Sequence, residues 1–119
     1  MYSGVKTKYY TLGYDSSIDH GDVGSMADAL EVDTILTWAQ EAGMDTGFVS
    51  TARITHATPA ALYAHTFDRF WEGDCEDQKP AVTPPEGAKD IAWQMVNRAP
   101  GNRTKVLMGG GFPHFFPKT

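Results

Sequence analysis

Apolar positions along the chain recur at two spacings, one typical of helices and one typical of strands. Between Met26 and Ala42 they follow the i, i+3, i+4, i+7 spacing that places one stripe on a helix, and Gly43 is a suitable stop. A second stripe predicts another helix over Ala88–Arg98, which Pro100 and Gly101 end. The stripes consist of Val32, Ile35, Leu36 and Ala39 in the first helix and of Ala88, Ile91, Ala92, Met95 and Val96 in the second.

Three short runs have the composition of strands. Val5–Gly13 is β-prone, Thr46–Thr51 contains an apolar run, and Thr104–Met108 is expected to be a short buried strand. With a further helix predicted between the second and third strands, the order is strand, helix, strand, helix, helix, strand. This order predicts an α/β fold with parallel pairing in one domain.

Residues 51–69 lead from the end of the second predicted strand through a loop into that further helix. Pro59 suits the first helical position, Thr58 suits the N-cap, and the helix should end near Phe67. Ligands of open α/β sheets bind at the carboxyl ends of strands. The polar candidates at this strand end are His56, Thr58 and Arg69.

The segment after this helix combines aromatic residues with a loop. An aromatic cluster of Phe67, Phe70 and Trp71 is expected to pack in a core or against a subunit rather than to bind a ligand. Gly73–Gly87 is rich in acidic residues and proline, and is predicted to be an exposed, irregular loop.

Composition excludes several classes of function. The 119 residues carry a net charge of −5, which argues against a nucleic-acid partner. Cys75 is the single cysteine, so a structural zinc site of clustered cysteines is not expected. No apolar run approaches the ~20 residues of a membrane span.

The sequence of residues 51–69, TARITHATPAALYAHTFDR, resembles a characteristic segment of animal, insect-like alkaline phosphatases, T-x-R-I/V-x-H-A-S/T-P-A-x-x-Y-A-H-x-x-x-R. Shorter similarities extend over nearly the whole chain in the same order. They are the family's G-V-K at Gly4–Lys6, its K-A-G-x-x-x-G at Glu41–Gly47, its D-I-A at Asp90–Ala92 and the glycines of its L-G-G-G at Gly109–Gly111.

The resemblance implies a fold and an activity. The fold would be part of a three-layer α/β/α sandwich with a largely parallel central sheet, and residues 1–119 would form a central segment lacking the N- and C-terminal parts. The activity would be metal-dependent hydrolysis of small phosphate monoesters through a phosphoserine intermediate. The fragment alone is expected to be inactive.

The resemblance also implies roles for three residues. Arg69 corresponds to the family's phosphate-binding arginine, and a guanidinium donates two parallel hydrogen bonds to phosphate oxygens. Thr58 corresponds to a hydroxyl ligand of Mg²⁺, a hard cation that prefers oxygen. His56 would act in the second shell of that metal site, and in an extended segment it would point the same way as Thr58. His65 also fits the motif, and its position suggests packing.

Several parts of the implied enzyme are not expected within these residues. No nucleophile is predicted here, because Asp15-Ser16 follows the G-V-K match whereas the family's nucleophilic serine precedes it. The ligands of the two Zn²⁺ ions would also lie elsewhere. The full-length parent would be a homodimer, secreted or held at the extracellular face of the plasma membrane by a GPI anchor outside this segment.

Asn102-Arg103-Thr104 is a sequon for N-glycosylation. It follows Pro100-Gly101 and is expected in an exposed turn. Its use at Asn102 would place the parent in the secretory pathway.

Two other interpretations remain open from the sequence. The chain could be a docking fragment with no chemistry of its own, since its acidic loop and its sequon suit an exposed surface. It could also be a standalone small α/β domain of another function, which an incomplete metal site argues against. A segment of a larger sheet should expose apolar faces, so the isolated chain is expected to be unstable or prone to aggregation.

Overall fold

The computed structural model describes residues 1–74, 80 and 82–116. In these ranges the helices and strands, in chain order, are α1 (Ile35–Glu41), β1 (Gly47–Arg53), α2 (Ala57–Ala60), α3 (Ile91–Asn97) and β2 (Val106–Gly110). Short 3₁₀ helices cover Gly24–Ala27, Gly101–Arg103 and Phe112–Phe115. No helix of the described ranges is long and apolar enough to cross a bilayer.

The two strands form a parallel sheet, which confirms the predicted α/β class and its parallel pairing. Gly47 lies opposite Val106 and Val49 opposite Met108, and an irregularity follows before Arg53 pairs with Gly110. The first two residues of the glycine run belong to β2, although they were expected in the turn after it.

The close approach of the strands explains one of these glycines. A Cβ on Gly109 would lie 2.6 Å from the Ile54 side chain and 2.8 Å from the Ala52 carbonyl oxygen. The lack of a side chain therefore lets β2 pass against the end of β1.

The expectation that Thr104–Met108 forms a buried strand is wrong in one respect. β2 begins two residues later, and all five of its residues are exposed. Apolar runs are typical of parallel strands covered on both faces, but this two-stranded sheet leaves Val49 72% and Met108 59% exposed.

The predicted helix over Met26–Ala42 is correct only in its C-terminal part. The chain is not helical from residue 28 to residue 34, because its backbone pairs with the preceding loop. Glu31 forms a bridge with Tyr14, and the Val32 N–H donates to the Gly13 carbonyl at 2.8 Å. Of the predicted stripe only Leu36 is buried, whereas Gly43 has the positive φ (+78°) that suits a helix stop.

The helix predicted from Pro59 to Phe67 begins earlier and is shorter. Its N-cap is His56 rather than Thr58, and regular helix covers only Ala57–Ala60. Turns continue it as far as Ala64, whose N–H donates to the Ala60 carbonyl. After this the chain becomes extended, since Thr66 pairs with Leu12 through two backbone hydrogen bonds of 2.9 Å.

The prediction of a strand over Val5–Gly13 is wrong, because within these residues only Leu12 forms a β-bridge, the one with Thr66. Tyr10 has a φ of +69°, and this left-handed conformation interrupts an extended backbone. The Thr11 hydroxyl contacts that of Thr7 at 2.8 Å and donates to the Lys8 carbonyl at 3.0 Å. Local hydrogen bonds of this kind compete with a ladder.

The helix α3 confirms the second amphipathic prediction in a shorter form. Asp90 is its N-cap and accepts from the Trp93 N–H at 2.7 Å. Its buried face packs into an apolar cluster that contains Leu12, Leu36, Leu62, Tyr63, Ile91 and Met95. The second cluster contains Tyr14, Ile18, Phe67 and Trp71.

The predicted aromatic cluster is divided by the fold. Phe67 and Trp71 pack in the second apolar cluster with ring centroids 5.9 Å apart, whereas Phe70 is 58% exposed. Cys75 lies outside the described residues, as do residues 76–79 and 81 of the predicted loop Gly73–Gly87. The described rest of that loop is irregular, as predicted, although Gly73 is buried.

Candidate functional site

The end of β1 is held firmly where it leads into α2. The Ile54 N–H donates to the Gly110 carbonyl at 2.9 Å, and the His56 N–H donates to the Arg53 carbonyl at 2.9 Å. The buried Tyr63 hydroxyl donates to the Ile54 carbonyl at 2.8 Å, and burial raises the pKa of this phenol. The carboxyl end of the strand therefore has a defined geometry, as a ligand site at a sheet edge requires.

A buried carboxylate network lies beside this junction. Glu72 is 5% exposed and accepts two hydrogen bonds from Arg53, at 2.6 and 2.9 Å, and one from the Thr55 hydroxyl at 2.7 Å. The Nε2 atom of His114 lies 3.5 Å from the same carboxylate. The network joins the end of β1, the segment after Arg69 and the 3₁₀ helix after β2.

The electrostatics of Glu72 reflect two opposing effects. Burial alone raises the pKa of the carboxyl group, but hydrogen bonds from Arg53 and Thr55, together with His114, outweigh it, so the pKa lies below its usual range. Glu72 was not among the residues predicted from the sequence, because its partners are 17 to 42 residues away along the chain and no local pattern marks such a contact.

The candidates His56 and Thr58 do not share one extended segment. His56 has an extended conformation (φ −66°, ψ 151°), but the helix begins at Ala57, so the argument that i and i+2 point the same way does not apply. Thr58 is exposed on α2 and lines a groove of about 220 Å³ together with Thr7 and Thr11. His56 is half-buried and does not line that groove.

Arg69 lies in a tightly bonded turn. Its N–H donates to the Tyr10 carbonyl at 2.8 Å, and the next N–H, that of Phe70, donates to Asp68 Oδ1 at 2.9 Å. The Thr66 hydroxyl donates to the Asp68 carbonyl at 3.0 Å. The Arg69 guanidinium lies 5.7 Å from the centre of the Phe70 ring.

The two arginines of the motif have different surroundings. The Nε and Nη2 atoms of Arg53 each donate a hydrogen bond to the Glu72 carboxylate. For Arg69 the side-chain contact found within residues 1–74, 80 and 82–116 is the aromatic one. A guanidinium with this environment retains its donors for an anionic ligand.

A broad cleft opens beside the Arg69 turn. It has a volume of about 890 Å³ and is lined by Lys6, Lys8, Tyr9, Tyr10, His20 and neighbouring residues. Tyr10 connects the cleft to the turn, because its carbonyl holds the Arg69 N–H and its ring lies 5.7 Å from that of Phe70. The fold thus brings next to the Arg69 turn a cleft that holds Lys6 and the ion pair of Lys8 with Asp19, whose side chains are 2.8 Å apart.

In the part of the chain that the structure describes, no hydrogen bond joins His56, Thr58 or Arg69 to one another. Thr58 and Arg69 are both near the N-terminal segment, Thr58 through Thr11 in the groove and Arg69 through the adjacent Tyr10. His65 packs edge-on against Tyr14 at 5.6 Å, and burial lowers the pKa of its imidazole.

Asn102 is exposed in the 3₁₀ helix Gly101–Arg103, as expected for a sequon in a surface turn. The backbone N–H of Asn102 donates to the Arg98 carbonyl at 3.1 Å.

A complete metal centre is not found among the described residues, where no three His, Cys, Asp or Glu side chains are grouped to hold an ion. The exposed Thr58 hydroxyl is a suitable oxygen donor for a hard cation. It would supply one ligand of such a site.

Comparison with known proteins gives a match over the whole chain. The family model for alkaline phosphatase matches residues 1–119. Alkaline phosphatase 4 of Drosophila melanogaster is 46% identical over 113 residues, which cover 93% of this chain and 17% of the relative. The membrane-bound alkaline phosphatase of Bombyx mori is 40% identical over 117 residues, covering 98% of the chain and 21% of the relative.

A human relative, the tissue-nonspecific isozyme of alkaline phosphatase, is 38% identical over 115 residues, covering 97% of this chain and 21% of the relative. The chain therefore spans about a fifth of the length of the relatives it matches.

Proposed function

Because this chain belongs to the alkaline phosphatase family, we propose that its 119 residues form part of the active-site region of a phosphomonoesterase. The observation that carries the proposal is the family match over residues 1–119. The Arg69 turn, which lies next to a cleft lined by Lys6, supports it at the level of geometry.

Arg69 would bind the phosphate group of the substrate. A phosphoryl transfer spreads negative charge over the equatorial oxygens, and a guanidinium stabilises two of them at once. Its backbone is held by Tyr10 and its side chain lies over Phe70, and in the described ranges no carboxylate accepts a hydrogen bond from its guanidinium.

Thr58 would be a ligand of Mg²⁺, and His56 would orient a water molecule or ligand next to it. The exposed hydroxyl of Thr58 fits a hard cation. The other Mg²⁺ ligands, the ligands of two Zn²⁺ ions and the serine that carries the phosphoserine intermediate would belong to segments outside residues 1–119. Bound metals would polarise the attacking and leaving oxygens.

The assembly and location of the parent are part of the proposal. One relative is named a membrane-bound alkaline phosphatase. We expect a homodimer that is secreted or attached to the extracellular face of the plasma membrane through a GPI anchor, with a glycan on the exposed Asn102.

The proposal is tested with p-nitrophenyl phosphate at alkaline pH in the presence of Zn²⁺ and Mg²⁺. The 119-residue chain is compared with a chimera in which it replaces the matching segment of the Bombyx mori relative. We expect no hydrolysis by the chain, hydrolysis by the chimera, and a loss of about 100-fold in kcat/KM in the chimera with Arg69→Ala.

Arg103→Ala is the matched control, since Arg103 is an exposed arginine on another element. It should leave the rate unchanged. A folded chimera without activity would overturn the proposal and favour the second candidate, a docking segment. The observation in favour of that candidate is the exposed apolar face of the sheet.

A further inference from the structure

We propose that Asp68, with His20 as its partner, is a positioning residue that fixes Arg69 for its contact with phosphate. The inference rests on the proposed function of Arg69 and adds a residue that acts through it. Asp68 does not touch the substrate in this scheme.

The Asp68 carboxylate bonds to the backbone next to Arg69. Asp68 is 8% exposed, and its Oδ1 accepts the N–H of Phe70, two residues later, at 2.9 Å. The side chain therefore closes a turn that has Arg69 in its middle. The Asp68 N–H in turn donates to the Thr66 hydroxyl at 3.2 Å, which holds the start of the turn.

His20 contacts both of the residues that accept backbone hydrogen bonds from the Arg69 turn. Its Nε2 atom lies 3.4 Å from Asp68 Oδ1, and its ring lies 4.9 Å from that of Tyr10. Tyr10 is the residue whose carbonyl accepts the Arg69 N–H. His20 thus connects the two groups that bond to the backbone of the turn.

Tyr10, which accepts the Arg69 N–H, has a strained backbone conformation. Tyr10 has a φ of +69°, and such a conformation in a residue with a side chain persists only when its surroundings hold it. The rings of His20 and Phe70 flank Tyr10 at 4.9 and 5.7 Å. The carbonyl that receives the Arg69 N–H is therefore oriented by the same group of side chains.

The backbone position of Arg69 determines whether its guanidinium can reach the phosphate. A long arginine side chain reaches two phosphate oxygens only from a defined backbone position, and a displacement of about 1 Å at a reacting group can cost about 100-fold in rate. Without the carboxylate, the Phe70 N–H loses its acceptor and the turn loses its closure. We therefore expect a partial loss, about tenfold, rather than the full effect of removing Arg69.

The test uses the full-length chimera and inorganic phosphate as the probe. Asp68→Ala should raise the inhibition constant for phosphate and lower kcat/KM, each about tenfold. Asp68→Asn keeps the acceptor of the turn and should restore both values to within about twofold. Should Asp68→Ala fail to fold, Asp68→Ser replaces it and should raise the inhibition constant about threefold, because a hydroxyl is a weaker acceptor in the same turn.

Asp90→Ala is the matched control. Asp90 is also a buried carboxylate that accepts one backbone N–H, but it caps α3 and is not bonded to the Arg69 turn. It should lower the melting temperature without changing the inhibition constant. An equal change in the inhibition constant for Asp68→Ala and Asp90→Ala would overturn the inference.

A double variant shows whether Asp68 acts through Arg69. Adding Asp68→Ala to Arg69→Ala should cause no further loss, whereas independent losses that add would contradict the inference. If Arg69→Ala alone leaves phosphate inhibition unchanged, the proposed function fails. If Arg69→Ala weakens inhibition but Asp68→Ala does not, only the positioning role fails.

His20 is tested by His20→Phe, which keeps a ring against Tyr10 and removes the nitrogen that faces Asp68. We expect the inhibition constant for phosphate to rise about threefold, because the carboxylate loses a polar partner. An unchanged constant would remove His20 from the inference.

Discussion

The guanidinium of Arg53 binds the carboxylate of Glu72 through two hydrogen bonds of 2.6 and 2.9 Å, across 19 residues of sequence. This pair connects the end of β1 to the segment that follows Arg69. It holds together the two chain segments that carry the proposed site residues, and it has direct consequences for stability.

Protonation of Glu72 at low pH should lower the free energy of unfolding. Its pKa is held below the usual range in the folded chain, so the carboxylate contributes stability above the unfolded pKa of about 4.3, and the contribution is lost as the pH falls through the folded pKa. Glu72→Gln should lower the free energy of unfolding at pH 7 by about 2 kcal/mol. Its unfolding should also depend less on pH between about 5 and 2.

Urea unfolding of the 119-residue chain at several pH values measures this. Glu41→Gln is the control, because Glu41 is exposed at the end of α1 and should leave the pH dependence as it is. A steep acid transition that persists in Glu72→Gln would show that other carboxylates cause it.

Asp90 should affect the pH dependence of the free energy of unfolding in the sense opposite to Glu72. Burial raises the pKa of its carboxyl group and nearby Asp74 adds to this, against the lowering effect of the Trp93 N–H. The folded chain therefore binds the proton more tightly than the unfolded chain, and stability falls as the pH rises from the unfolded to the folded pKa.

Two variants separate the cap of Asp90 from its charge. Asp90→Asn keeps an acceptor for Trp93 and should not reduce stability at pH 7, whereas Asp90→Ala removes the cap and should cost about 1 kcal/mol. Thermal unfolding followed by circular dichroism distinguishes them. Equal destabilisation by both would mean that the charge itself, rather than the cap, stabilises α3.

Gly13 should tolerate no side chain. Its φ is +74°, and an added Cβ would lie 2.3 Å from the Ala64 carbonyl oxygen. Gly21 has a similar φ of +72°, but a Cβ there would meet no atom within 4 Å. A side chain at either glycine would therefore strain the backbone to a similar extent, but only a side chain at Gly13 would also collide with neighbouring atoms.

Gly21→Ala should cost about 1 kcal/mol, from the left-handed conformation alone. Gly13→Ala should cost at least about 3 kcal/mol, because overpacking against backbone is added. Urea midpoints of the two variants measure the difference. Similar midpoints would mean that the chain near residue 64 moves aside at little cost.

The exposed face of the sheet should cause self-association of the isolated chain. Val49 and Met108 are paired in register and are 72% and 59% exposed. Replacing them by Lys and Glu places opposite charges opposite each other and should reduce association in sedimentation velocity. Val5→Lys, which changes an exposed valine elsewhere, should have little effect.

In the chimera the same pair of substitutions should instead reduce activity, since we expect other parts of the enzyme to cover this face. Full activity of the substituted chimera would contradict that expectation. Unchanged association of the substituted chain would mean that another surface drives it.

The sequence by itself determined the family, the α/β class and the parallel pairing of two strands. It also located the amphipathic helix over Ile91–Asn97 and the strand Gly47–Arg53, although their ends shifted by a few residues. These features depend on local spacing and on a continuous motif of 19 residues, which a linear pattern can carry. Gly43 belongs here too, because a helix stop with positive φ is a local requirement.

Tertiary structure decided the rest, where distant backbone groups compete with local preference. Residues 28–34 leave the predicted helix because the Val32 N–H bonds to Gly13, and Thr66 leaves the next one because it pairs with Leu12. The Arg53–Glu72 pair and the His20–Asp68 contact join residues 19 and 48 positions apart, so no local spacing reveals them. A sequence pattern records preferences along the chain, whereas packing selects which of them can be satisfied together.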